Sequence, residues 1–312
     1  MENFLSKTLK NKKNKKKFTS LKCHPKNKSF KKSSCLDLDA LIMLKQFWNK
    51  RHPDCQIRTR KKVNIWNEIK QKMSDSCNHE MCWIDSVIPS NSKKEKLKNE
   101  LFVPKMPDSW KSNSSEWLSS VEISDVLKQY EEKYDDFVFL GPSPIDFDSA
   151  NIVDTNNNDV CVWPELCGFN LKSHMSNNVK RVGMVFNLDK HYQDGSHWVS
   201  MFLDIPSKKL FYFDSAGSGP PKEIKNLCKK IKKQAKEMNI NLHVDDNKDI
   251  QHQVYNTECG MYCLYFIISL LTKKHNIDYF KKKIIRDNLV KQFRTIYFNK
   301  IYARSKFILF DN

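Results

Sequence analysis

A thiol attacks a carbonyl carbon well only as a thiolate. A helix N-terminus and a neighbouring imidazole both favour that state. Cys259 opens an almost wholly apolar run that ends at Leu271, so it is expected in the first turn of a helix, at the positive end of the dipole. Gly260 follows it and is read as room for a substrate backbone to come close. Cys263, one turn further on, reads as a buried core residue. The expected base is His197, at the start of a predicted strand beside Trp198. Asp214 ends the next strand, within Tyr212-Phe213-Asp214-Ser215. A turn at 206–209 makes the two strands a hairpin, which lets Asp214 accept the imidazole N–H and fix its tautomer. Spacing alone leaves His191 and His252 open as alternative bases. Gln253, shortly before Cys259, can offer its side-chain amide to a developing oxyanion together with the Cys259 backbone N–H.

The elements that must hold these residues follow from periodicity. Strands are expected at 182–188, 197–205 and 210–213, with shorter ones at 137–140 and 241–244. Gly141, Pro142 and Pro144 should end the first of these, and 141–180 reads mostly as loop. Helices are expected at 121–134, from Pro220-Pro221 through Met238, at 259–271, and over an amphipathic stretch at 279–298. Strands that neighbour one another, followed by helices, indicate an α+β fold. Upstream, Ser34 can cap a helix to about Lys50, and Val63, Trp66, Ile69 and Met73 mark a second. Pro89, Pro104 and Pro107 among Ser, Asn and Lys make 86–116 look like a linker. The expected organisation is a basic disordered tail at 1–34, a helical accessory region and linker at 35–108, and a catalytic domain at 109–312.

The 312 residues carry a formal net charge of +18, and most of it lies in one place. Residues 1–33 hold twelve lysines and a single acid, Glu2, with too few apolar residues to build a core. This arm is read as a solubilising segment, a nuclear-localisation patch or a nucleic-acid contact working through counterion release. No secretory signal is visible, and the near-apolar run Met261 to Leu271 is too short to span a bilayer, so no membrane partner is expected. Ten cysteines at irregular spacings suggest reduced thiols rather than a disulfide framework. Cys77, His79 and Cys82 lack the spacing of a zinc site and read as buried residues of a small helical unit. No metal and no cofactor are expected.

Taken as a series, His197-Trp198, Asp214, Gln253 and Cys259-Gly260 resemble the active-site residues of the ubiquitin-like-protein (SUMO) proteases. That group includes relatives in large DNA viruses and shares its catalytic plan with adenain. The resemblance covers about 109–300. It implies a papain-like α+β fold of the ubiquitin-like protease type, with Cys259 as nucleophile, His197 as base, Asp214 as orienting acid and Gln253 as oxyanion donor. It also implies that Trp198 covers a narrow channel for a Gly-Gly segment. Glu116-Trp117-Leu118 is similar to the tryptophan-leucine element that begins the family's domain, which makes Trp117 a substrate-binding candidate. Ser119-Ser120 stand where many members have Asn-Asp. Phe139-Leu140-Gly141-Pro142 and 187–191 look like the viral branch. The expected function is therefore a cysteine endopeptidase that cleaves viral precursor proteins after small residues during particle maturation, in host cytoplasm and virion. One alternative is an isopeptidase removing SUMO or another ubiquitin-like modifier, in cytoplasm or nucleus. Another is a basic scaffold protein that binds nucleic acid.

Overall fold

The computed structural model describes residues 17–27, 34–150 and 161–301. The chain divides into two compact units, Met1–Val103 and Pro104–Asn312.

The first unit contains α1 (Leu38–Arg51), α2 (Lys62–Lys72), α3 (Glu80–Val87) and α4 (Asn91–Leu101). Asp37 rather than Ser34 caps α1, its carboxylate accepting from the Ala40 N–H at 2.8 Å. Leu41, Leu44, Trp66, Ile69 and Trp83 form a buried core. Glu80 is buried among them and accepts from the Trp66 indole N–H and from the Cys35 N–H. Two expectations change here. The stretch read as a linker holds α4, because 91–101 has no proline or glycine and is rich in helix formers, and Ser90 caps it. Residues 17–27, read as part of the tail, are packed. Phe18 lies edge-on to Trp66, and Leu21 is buried, so this part of the arm has the apolar side chains that its lysines obscure. Residues 1–16 and 28–33, the remainder of the arm, lie outside the described residues.

The expectation of unpaired thiols is also corrected. Cys23–Cys35, Cys77–Cys82 and Cys161–Cys167 are disulfide-bonded, with Cα separations of 5.1, 5.6 and 6.6 Å. Irregular spacing along the sequence does not prevent pairing once turns bring the Cα atoms within bridging distance. Cys55, Cys228, Cys259 and Cys263 are free. His79 Nδ1 accepts from the Cys82 N–H to cap α3, so all three residues of the 77–82 group are engaged within the fold.

The second unit is built on a five-stranded mixed sheet in the order β1-β2-β3-β4-β5. The strands are β1 (Phe137–Pro144), β2 (Arg181–Asn187), β3 (Trp198–Asp204), β4 (Lys209–Phe213) and β5 (His243–Asp246). β2, β3 and β4 are antiparallel neighbours, and the outer strands pair in parallel. The sheet is buried on both faces. Val185, Phe202, Phe211 and Phe213 face a layer made by α5 (Ser120–Lys133) and α9 (Cys259–Leu271). Val182, Met184, Met201, Leu203, Leu210 and Tyr212 face α6 (Pro164–Cys167), α7 (Leu171–Ser176) and α8 (Lys222–Glu237). This period-2 partition is what makes β2 and β3 read as continuous apolar runs. α9 is buried on every side, as a helix apolar all round must be. It approaches β2 so closely that a Cβ on Gly183 would lie 3.0 Å from the Ile267 and Phe137 side chains.

Three boundaries differ from expectation. β1 runs on through Pro142 to Pro144 with a register shift between Leu140 and Ser143; an edge strand tolerates proline and a bulge. Between 141 and 180, α6 and α7 stand where loop was expected, and 151–160 lie outside the described residues. The single helix expected over 279–298 is three short ones, α10 (Ile277–Lys282), α11 (Asp287–Gln292) and α12 (Arg294–Tyr297). The break comes because Ile285 spends its backbone elsewhere: its N–H goes to His252 Nδ1 and its carbonyl accepts from Tyr262 Oη.

Phe266 is fully buried in α9 and its ring stacks on Phe213 at 4.7 Å. Phe266→Ala is expected to destabilise this unit by about 3–5 kcal/mol, measured as a lower urea midpoint with an unchanged m-value.

Candidate active site

Strand polarity brings the site together. β3 and β4 are antiparallel, so the start of β3 adjoins the end of β4; β5 runs parallel to β4 and ends beside it. His197 immediately precedes β3, Asp214 immediately follows β4, and Asn247 immediately follows β5. These three residues form a hydrogen-bonded row. His197 Nε2 lies 2.7 Å from Asp214 Oδ1. The Asp214 N–H donates to Asn247 Oδ1 at 2.9 Å, and Asn247 Nδ2 donates back to the Asp214 carbonyl at 2.7 Å. The Ala216 N–H gives Asp214 Oδ1 a second donor at 2.8 Å. Asp214 and Asn247 are buried, and His197 is partly open.

α9 packs against β3 and carries Cys259 as its first residue. The His197 side chain hydrogen-bonds that of Cys259. With Nε2 taken by Asp214, Nδ1 is the nitrogen left for the thiol. Burial disfavours the imidazolium, but the hydrogen bonds and charges of Asp214 and Cys259 outweigh it and raise the His197 pKa to about 10. A thiol facing an imidazole held by a buried carboxylate is the arrangement nucleophilic catalysis needs. The Cys259 N–H sits in the first helical turn, where no intrahelical acceptor exists.

Gln253 is buried beside this group. Ser215 Oγ donates to its Oε1 at 2.7 Å, and its Nε2 donates to the Tyr255 carbonyl. An amide has two N–H groups, so one remains for an incoming oxygen. At Gly260 a Cβ would lie 2.9 Å from Leu118 Cβ and 3.4 Å from Trp198 Cδ1, so the missing side chain lets Leu118 and Trp198 pack close to the start of α9. Trp198 Nε1 donates to the Leu118 carbonyl at 2.9 Å. Trp198 and the half-exposed Trp117 line a groove of about 1010 Å³, together with Ser119, Ser120 and Trp163.

The other histidines have other partners. His191 Nδ1 lies 2.8 Å from Asp146 Oδ2 on the wall of the groove. His252 Nδ1 accepts from the Ile285 N–H, its ring packs against Phe213 and Tyr262, and burial lowers its pKa.

Sequence reasoning missed the supports. Asp287 Oδ2 accepts from the Val254 and Tyr255 N–H groups, each at 3.0 Å, and its Oδ1 from Tyr262 Oη at 2.9 Å. Asp287 thereby pins the loop between Gln253 and Cys259. Glu258, next to Cys259, pairs with Arg294 at 2.9 Å, and both are buried. Arg294 also donates to the Glu116 carbonyl at 2.7 Å and lies over the Trp110 ring. An acid and an arginine on a polar-looking C-terminal stretch give no local signal of such contacts. Asn247 is equally silent.

Three outcomes follow from this geometry. An NMR titration of His197 should give a midpoint near pH 10, and Asp214→Asn should move it down towards the ordinary value of about 6.5. By linkage, the raised pKa stabilises the fold below pH about 6.5, and this contribution disappears as pH rises towards 10. Asp287→Ala is expected to lower kcat on a peptide substrate about 10- to 100-fold through loop misplacement, with KM little changed.

Known proteins resemble this chain in sequence and fold. Residues 169–306 match the model of the Ulp1 protease family, C-terminal catalytic domain. A putative thiol protease of Acanthamoeba polyphaga mimivirus is 27% identical over 267 residues, spanning 80% of this chain and 84% of that protein. A cysteine protease of African swine fever virus is 29% identical over 189 residues, spanning 59% of this chain and 68% of that protein. A crystal structure of an African swine fever virus protease superposes with a TM-score of 0.62 at 21% identity, covering 91% of this chain and 98% of that one; at that identity the likeness concerns the fold. Over residues 169–306 the α+β unit built around Cys259 is thus similar to the catalytic domain of the Ulp1 protease family, and with its thiol-protease relatives this makes the chain a cysteine-type peptidase.

Proposed function

We propose that Cys259 is the nucleophile, His197 the general base and acid, Asp214 the residue that orients it, and Gln253 with the Cys259 N–H the oxyanion donors. The observation that carries this reading is the His197 imidazole held between the buried Asp214 carboxylate and the free Cys259 thiol. The thiolate sulfur attacks the scissile carbonyl carbon, and the oxygen gains negative charge beside Gln253 Nε2 and the Cys259 N–H. As the C–N bond breaks, His197 gives its proton to the leaving amine and a thioester remains. Water then loses a proton to His197 and attacks the thioester, and the thiolate is released.

The substrate is a protein with small residues before the scissile bond, of the Gly-Gly type. Leu118, Gly260 and Trp198 are in mutual contact next to Cys259, which supports a channel too narrow for large side chains. Trp117 and Trp198 would flank the bound segment. The mimivirus and African swine fever virus relatives support cleavage of viral precursors during particle assembly, in host cytoplasm and virion. Removal of a ubiquitin-like modifier is the second reading, favoured by relatives described as SUMO-1 cysteine proteases. The basic arm, largely outside the described residues, would serve to localise the enzyme on nucleic acid.

The test is paired labelling of wild type and Cys259→Ala with a ubiquitin-like modifier bearing a C-terminal electrophile and with a short Gly-Gly electrophilic peptide. Labelling of the wild type alone is expected, with the peptide preferred over the modifier. Preference for the modifier moves the function to deconjugation. Equal labelling of the alanine variant removes Cys259 from its proposed role.

A further inference from the structure

α8 has a charge distribution that its place in the fold does not require. Its apolar side, Ile224, Leu227, Ile231 and Ala235, is buried against the sheet. On the side away from the core, Lys222, Lys225, Lys229, Lys232, Lys233 and Lys236 are all exposed. At 3.6 residues per turn they fall within an arc of about 100° and extend along about 21 Å of helix. The two acids of the helix, Glu223 and Glu237, fall outside that arc. The seventh lysine, Lys230, is turned aside and donates to the Cys167 carbonyl. Among the described residues no ion pair involves any of the six, whereas exposed Lys96 on α4 and Lys282 on α10 do pair with acids. Like charges at i,i+3 and i,i+4 repel and weaken a helix, so the row is a standing electrostatic cost that a polyanion would relieve.

We infer that this face of α8 is a docking surface for the phosphate backbone of duplex nucleic acid. A straight, narrow row of cations fits a polyanion that carries a charge about every 1.7 Å along a rigid axis. A lipid surface fits poorly. An interfacial helix buries its apolar face in the bilayer, but the apolar face here is already in the core, and none of the exposed large apolar side chains lies on α8. The row offers no aromatic ring to stack unpaired bases, which disfavours single strands. It contains lysine and no arginine, so it supplies point charges without the bidentate fork that reads guanine, and binding should be independent of sequence. This surface lies on α8, far in sequence from the basic arm, and stands whatever the substrate of the peptidase.

The experiment compares the full chain with a variant in which all six lysines are changed to Gln and a second in which they are changed to Arg. A fluorescent 20-base-pair duplex is titrated by anisotropy over a series of salt concentrations. Neutralising six phosphate contacts should lower the magnitude of the slope of log K against log[salt] by about 5. The Arg variant should retain the wild-type slope, and both variants should cleave a short peptide at the wild-type rate, which reports an intact fold. An unchanged slope in the Gln variant overturns the inference. So does equal loss in the Arg variant, or binding of anionic phosphatidylserine vesicles or polyglutamate through these lysines in preference to the duplex.

Discussion

Everything at the site depends on a carboxylate held by hydrogen-bond donors where water cannot reach it. Asp214 is 1% exposed, and burying a carboxylate without partners is costly. The Ala216 N–H and the His197 ring both reach its Oδ1, and Asn247 brackets its backbone on both sides. The charge in turn offsets the burial of His197 and keeps the imidazolium available well above neutral pH. Asn247 is thus as much a part of the device as the histidine. It fixes the end of β4 to the end of β5 and so holds the backbone that carries the carboxylate.

The thiol is held by a second network, made from the chain's C-terminal segment. Apolar packing holds α9 against the sheet through side chains such as Phe266 and Ile267. Its N-terminal end is set by the buried Glu258–Arg294 pair, and its second turn by Tyr262 Oη, which donates to Ile285 and Asp287. Burial pushes the Glu258 carboxyl up in pKa against the pull of Arg294, so the pair contributes definition more than stability. Asp287 carries the same network out to Val254 and Tyr255, whose carbonyl holds the Gln253 amide. The broken helices at 277–297 are the price of presenting these groups at the right places.

On the substrate side the contacts are apolar and steric. Leu118 lies over Gly260 and under Trp198, and its carbonyl takes the indole N–H. Arg294 holds the neighbouring Glu116 carbonyl, so the segment that lines the groove and the residue before Cys259 share one anchor. The groove segment at Glu116–Leu118 and the start of α9 at Cys259 are therefore set by the same side chain.

Much of this was legible from residue order. Short apolar runs bounded by turn residues marked β2, β3 and β4, an unbroken apolar run marked α9, and a hairpin was enough to bring His197 to Asp214. These features are local, so a single sequence carries them. What tertiary structure alone decided was long-range. Spacing alone left His191 and His252 open beside His197, and which of them meets the thiol depends on which strand end adjoins α9. The role of Gly260 followed from Leu118, a contact between residues far apart in the chain. The pairing of six cysteines, the break of the C-terminal helix at Ile285 and the supports from Asn247, Asp287 and Arg294 have the same origin. Each is a hydrogen bond, ion pair or covalent bond whose partner is chosen by the fold, and a polar residue shows no periodicity that would reveal its partner in advance.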